Sequence, residues 1–132
     1  MREAKQAADA EKARIALEKK VALEGTRKRA FAQQQDMKLE KHIQGFEKSL
    51  RAPGANLVPE PFRQPLETAL AELIEIKNGC GLVANGFEPR AGFEVPMDLK
   101  HEIDVMRKHE IVFAMNVKAH MAHARQEQQA PR

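Results

Sequence analysis

The chain has 132 residues, 31% of them charged and 5% aromatic, all of the latter Phe, with neither Trp nor Tyr. This length suits one ordinary domain, or a small domain with an extended element, and an apolar fraction built from Ala, Leu, Ile, Val and Met favours helix over one large core. The net charge of +3 is uneven: residues 1–51 hold 13 basic against 8 acidic residues and residues 52–132 hold 9 against 11, so the basic excess lies in the N-terminal third, where it permits contact with nucleic acid, an acidic protein or an anionic membrane without choosing among them.

The lone cysteine, Cys80, excludes an intrachain disulfide and fits a reducing compartment. The longest apolar run, Ile111 to Met115, is far short of the ~18 residues that would indicate a membrane span. The opening MREAKQAADAEKARIALEKK has no apolar core of the kind a secretory signal needs, and its acids argue against a transit peptide. A cytoplasmic location, or incorporation into a particle assembled there, is expected.

Residues 1–51 form the first unit, read as a long charged helix. From residue 3 to residue 50 there is no proline, few β-branched residues, and an abundance of Ala, Glu, Lys, Arg and Gln. Ala10, Ala13, Leu17 and Val21 make a shallow apolar stripe, and Leu39, Ile43, Phe46 and Leu50 repeat the same spacing with larger side chains. Gly25 is the expected weak point, able to end one helix while Thr26 caps the next. Unbroken, such a helix would run to roughly 70 Å, several times the radius of a small domain, so it must either break into a hairpin or project towards a partner.

RAPGANLVPEPFRQP contains the boundary, a proline-rich strap over 52–65 in which Pro53, Pro59, Pro61, Pro65 and Gly54 prevent a continuing helix. Leu57, Val58 and Phe62 suggest that the strap is docked. Residues 66–126 read as a small helical unit. Pro65 suits the first turn of a helix with Leu66, Leu70, Leu73 and Ile74 on one face and Lys77-Asn78-Gly79 at its end. The insert from 79 to 96 carries Asn-Gly pairs at 78–79 and 85–86, which fit a short hairpin or a structured loop. The last helix is expected from Asp98 to Arg125. Leu99, Ile103, Met106, Phe113, Val117 and Met121 hold a 4-3 spacing around Glu110. Val112, Met115, Ala119 and Ala122 form a second apolar flank, so much of this helix should be covered. Residues 127–132 read as a polar, fraying tail.

HEIVFAMNVKAHMAH, residues 109–123, offers His109, His120 and His123. A zinc site needs three or four convergent ligands, and no cysteine or well-placed carboxylate accompanies these, so a structural role is preferred and no metal or cofactor is expected. Glu110 interrupts the apolar stripe; it either lies at the rim or pairs with a basic residue of another helix, and the rim is preferred. Cys80, between glycines, has no cysteine-enzyme motif around it and reads as a turn or packing residue. Arg27, Lys28 and Arg29 are the densest basic patch and the candidate nucleic-acid contact, although no aromatic platform or recognition helix goes with them and a solvated face is the simpler reading. No catalytic constellation is present, and an enzyme is not expected.

MDLKHEIDVMRKHEIVFAMNVK resembles the C-terminal helix of bacterial flagellar rod and hook proteins at Asp98-Leu99, Glu102, Met106, Phe113, Asn116 and Lys118. The likeness covers a sixth of the chain and lacks that family's N-terminal Asn-rich motif, so no assignment is taken from it.

The expectation is therefore a mainly α protein: a long N-terminal helix, a strap, and a two-helix unit with a turn-rich insert. Its role would be structural, joining other subunits of a homo- or hetero-oligomer such as a virion, secretion or similar bacterial machine. Leu17, Val21, Leu39, Ile43, Phe46 and Leu50 would carry one coiled-coil-like interface, and Leu99, Ile103, Met106, Phe113 and Val117 the core or a second. The alternative is a basic helical protein that contacts nucleic acid through residues 12–29.

Overall fold

A computed structural model describes residues 2–129. The chain is mainly helical: α1 spans Arg2–Leu50, α2 Glu60–Ala84 and α3 Lys100–Gln129, with a 3-10 turn at Ala55–Leu57 in the strap. The second half of α1 packs on α2 and, less extensively, on α3, while α2 and α3 pack on each other. One core results, with Leu39, Ile43 and Phe46 from α1, Leu66, Leu70 and Leu73 from α2, and Ile103, Met106 and Phe113 from α3. Val58 and Ala55 of the strap close one end of it.

α1 does not break at Gly25, contrary to the weak point expected there. A glycine inside a helix costs only ~1 kcal/mol relative to Ala, and strong helix formers flank this one. Thr26 does not cap: its hydroxyl donates back to the Ala22 carbonyl at 3.0 Å, as a mid-helix threonine does. Almost every residue from 3 to 30 is exposed, so the first half of α1 projects as an arm. Its helicity rests on propensity, on continuity with the packed half, and on local pairs such as Arg14 with Glu11 and with Glu18.

α2 begins earlier than expected, at Glu60. Pro59 stands at its N-cap, Pro61 lies in its first turn, and Pro65 lies inside the helix. The strap is thus shorter than 52–65. It is docked through Ala55 and Val58, whereas Leu57 and Phe62 face solvent. Gly54, at φ 86, lies against Met121 of α3; a Cβ there would stand 2.6 Å from Met121 Cγ.

The insert forms no hairpin. α2 runs through Asn78-Gly79 because Gly79, Cys80 and Val83 are buried, and the packing of this turn outweighs a local turn preference. The second Asn-Gly pair does end the helix. Gly86 adopts φ 80, its N–H bonds to the Val83 carbonyl, and the Phe87 N–H bonds to that of Leu82, which together make a Schellman cap. The loop from 87 to 99 folds back over the bundle. Phe93 covers Gly79, and the Pro96 carbonyl accepts a 2.6 Å hydrogen bond from the buried Gln35 of α1.

Asp98 accepts a bond from the Lys100 N–H at 2.9 Å and so stabilises the start of α3 two residues before its first helical position. The helix continues to Gln129, beyond the expected end at Arg125; residues 130–132 of the expected tail lie outside the described residues.

Candidate functional site

The residues read as interface candidates separate into two groups. Leu39, Ile43 and Phe46 are 0%, 3% and 4% exposed, and Leu50 packs partly buried beside them. Leu99, Ile103, Met106, Phe113 and Val117 are buried as well. All of these meet the chain's own helices. Leu17 and Val21 remain open on the arm, 62% and 60% exposed.

A different apolar face is uncovered. Ile111, Val112 and Met115 of α3 are 60%, 56% and 65% exposed, and Ala119 and Ala122 continue the row in solvent. This corrects the expectation that the second flank of the last helix would be covered. The physical reason is that α1 and α2 both lie on the Phe113 side of α3, so among the described residues no element remains for the opposite side. The row holds the spacing 111, 115, 119, 122, which places its members on one face. Its periodicity was legible in the sequence; its lack of a neighbour was not.

Glu110 lies at the rim yet also joins helices. Its carboxylate accepts a 2.7 Å hydrogen bond from the Ser49 hydroxyl of α1 in a half-buried position. This neutral donor replaces the basic partner that a register-fixing ion pair would have required. At the other end of the bundle, Lys77 of α2 reaches α1, with its Nζ 2.9 Å from Asp36 and 3.4 Å from Glu40. The hydrogen bond to Asp36, with smaller help from Glu40, holds the Lys77 ammonium above the usual lysine range.

The histidines do not converge. His120 Nδ1 is 2.8 Å from the Asn116 carbonyl, and its ring stands 6.2 Å from that of Phe62. His123 lies 3.1 Å from Glu127 in an exposed pair. Among the described residues no group of three or more His, Cys, Asp or Glu side chains is placed to hold a metal ion. Burial, and secondarily the charge of Asp36, pushes the Cys80 thiol up, away from the reactive thiolate. A shallow cleft of about 430 Å³ between α1 and the start of α3 is lined by Lys38, His42, Lys100 and Arg107 together with Asp98 and Asp104. Its three cations stand among two carboxylates, which leaves only a slight positive excess and no concentrated charge for a ligand.

Arg27, Lys28 and Arg29 are all exposed on the arm. On an unbroken helix consecutive residues are turned by ~100°, so the three cations face three different sides and form no common patch. Arg29 also lies 3.4 Å from the Thr26 hydroxyl, to which it donates. Among the described residues no helix is long and apolar enough to cross a membrane. Compared with protein-family models, with curated proteins and with solved structures, the chain finds no match.

Proposed function

We propose that this chain is a non-enzymatic structural protein that joins other subunits of an assembly through helical faces its own fold leaves open. The observation that carries this reading is the uncovered row on α3, in which three large apolar side chains are each more than half exposed. A contiguous exposed row of this kind favours a protein partner, since its burial is worth roughly 25 cal/mol per Å².

The row is also suited to a second copy of itself. Antiparallel pairing centred on Met115 sets Ile111 of one copy opposite Ala119 of the other, and Met115 opposite Met115. Ile111 then meets a small side chain and the two Met115 side chains meet on the two-fold axis, an arrangement in which the patch is complementary to itself, as an isologous interface requires. Leu17 and Val21 on the arm give a further apolar contact beyond the bundle. A virion, a secretion apparatus or a similar bacterial machine is the proposed setting, with assembly in the cytoplasm.

A photo-crosslinking residue placed at Met115 in the purified chain tests this, with the same residue at Ala71, on the exposed side of α2, as control. The reading predicts a crosslinked dimer from position 115 and none from position 71. Equal yields from the two positions, or none from either, would contradict it.

A further inference from the structure

We propose that the outer face of α1 is a rail for the phosphodiester backbone of single-stranded nucleic acid, bound without base readout. α1 is continuous through Gly25. A break there would have left the cations of the two halves unrelated in angle; the unbroken helix aligns them. Lys5, Lys12 and Lys19 follow at seven-residue steps, and Lys41 and Lys48 repeat the step further on. Seven residues are nearly two full turns, so each series stays on one side. Arg27 falls between the two series on that side, with Lys20 and Lys38 along one edge, where Lys38 also lines the cleft that holds Asp98 and Asp104. The face lies opposite the core residues Leu39, Ile43 and Phe46, and all eight cations are exposed.

The acids of α1 lie elsewhere. Asp9 lies on this face and Glu24 stands beside its Lys20–Lys38 edge, while Glu3, Glu11, Glu18, Asp36, Glu40 and Glu47 lie towards the other side. There they take other cations: Glu11 and Glu18 meet Arg14, Asp36 and Glu40 meet Lys77, and Glu47 meets Arg51. Among the described residues no carboxylate pairs with any of the eight cations of the rail. From Lys5 to Lys48 the rail extends for roughly 65 Å.

Its shape and composition select the ligand. Leu23 and Met37 are the large apolar residues on this face, separated by three to four turns, which is too little to bury in a bilayer. Phe46 is in the core, and Phe31, seven residues before Lys38, is half-buried at the edge beside Phe93 of the loop, so bases find little stacking surface and recognition falls to charge. A straight rod touches the phosphates of a rigid duplex only where its grooves cross, whereas a flexible strand can follow the rail from end to end.

The test is binding of a fluorescent oligothymidylate long enough to span α1, followed by anisotropy as salt rises from about 50 to 200 mM. Single-strand binding loses ~0.7 in the log–log salt slope per neutralised phosphate, so full engagement of eight cations predicts a slope of about −5.6 and weakening on the order of 10³-fold over that range. Replacing Lys12, Lys19, Lys41 and Lys48 with Gln should flatten the slope by ~3. Replacing Arg14, Lys28 and Arg29 with Gln removes cations from the other sides and should leave the slope within ~1 of its original value. Gly25→Pro keeps every charge and divides the rail in the unpacked arm, and should weaken binding without unfolding the bundle. Equal losses from both sets of Gln variants, tighter binding of a duplex of the same length, or binding to anionic phosphatidylserine vesicles with none to the oligonucleotide would each overturn the proposal.

Discussion

Gly45→Ala and Gly79→Ala are the same chemical change inside two helices, and the structure assigns them opposite signs. In each case alanine removes the backbone-entropy penalty of a helical glycine, a gain of ~1 kcal/mol. At Gly45 a Cβ would meet nothing within 4 Å, so that gain should appear undiminished. At Gly79 the Cβ would stand 2.5 and 2.8 Å from Cε2 and Cε1 of Phe93, closer than real contacts allow. Phe93 is a rigid ring on the loop that folds over α2, so the ring must move and the loop with it. Overpacking of this kind costs ~1–3 kcal/mol, which cancels or exceeds the helix gain and leaves a net loss of up to ~2 kcal/mol. The assay is urea unfolding followed by far-UV circular dichroism, with the midpoints compared at a common slope. Gly45→Ala should raise the midpoint and Gly79→Ala should lower it. If Gly79→Ala stabilises as much as Gly45→Ala, the loop is not seated on α2 and the reasoning fails.

Three further outcomes follow from particular contacts. Lys77 has its pKa raised by Asp36 and Glu40, so its contribution to stability is complete below the ordinary lysine value of ~10.4 and disappears as pH rises through the raised value; Lys77→Met should cost ~1 kcal/mol at neutral pH and flatten the alkaline fall in unfolding free energy. Ser49→Ala removes the donor to Glu110 and should destabilise the bundle by about 1 kcal/mol in the same unfolding assay, with the half-buried carboxylate recovering part of its solvation. Amide hydrogen exchange should be fast over residues 3–24, which are exposed along the arm, and slowest around Leu39–Phe46, Leu66–Leu73 and Ile103–Phe113.

The sequence disclosed the inward faces of all three helices, because Leu39-Ile43-Phe46, Leu66-Leu70-Leu73 and Ile103-Met106-Phe113 repeat at the helical period with large side chains. It misled at Gly25 and at Asn78-Gly79. Both are local signals worth about 1 kcal/mol, a scale that flanking helix formers outweigh in the first case and tertiary burial of Gly79, Cys80 and Val83 outweighs in the second. The same Asn-Gly signal was reliable at 85–86, where no buried residue follows and Gly86 is free to take its positive φ. The open row on α3 was visible as spacing, but spacing alone cannot say which of two apolar flanks finds a neighbour. The basic rail was hidden for a related reason. A dense tripeptide at Arg27–Arg29 attracts attention in a linear reading, whereas cations seven residues apart come together only once the helix is known to be continuous.

If the Ile111–Met115–Ala119 row joins subunits, light scattering on a size-exclusion column should separate the native chain from Met115→Glu. The native chain should run as a discrete oligomer, and the variant should fall towards the 14.9 kDa of one chain with unchanged helical content. A native chain that stays at one-chain mass at every concentration, or an oligomer that Met115→Glu leaves intact, would contradict that role for the row.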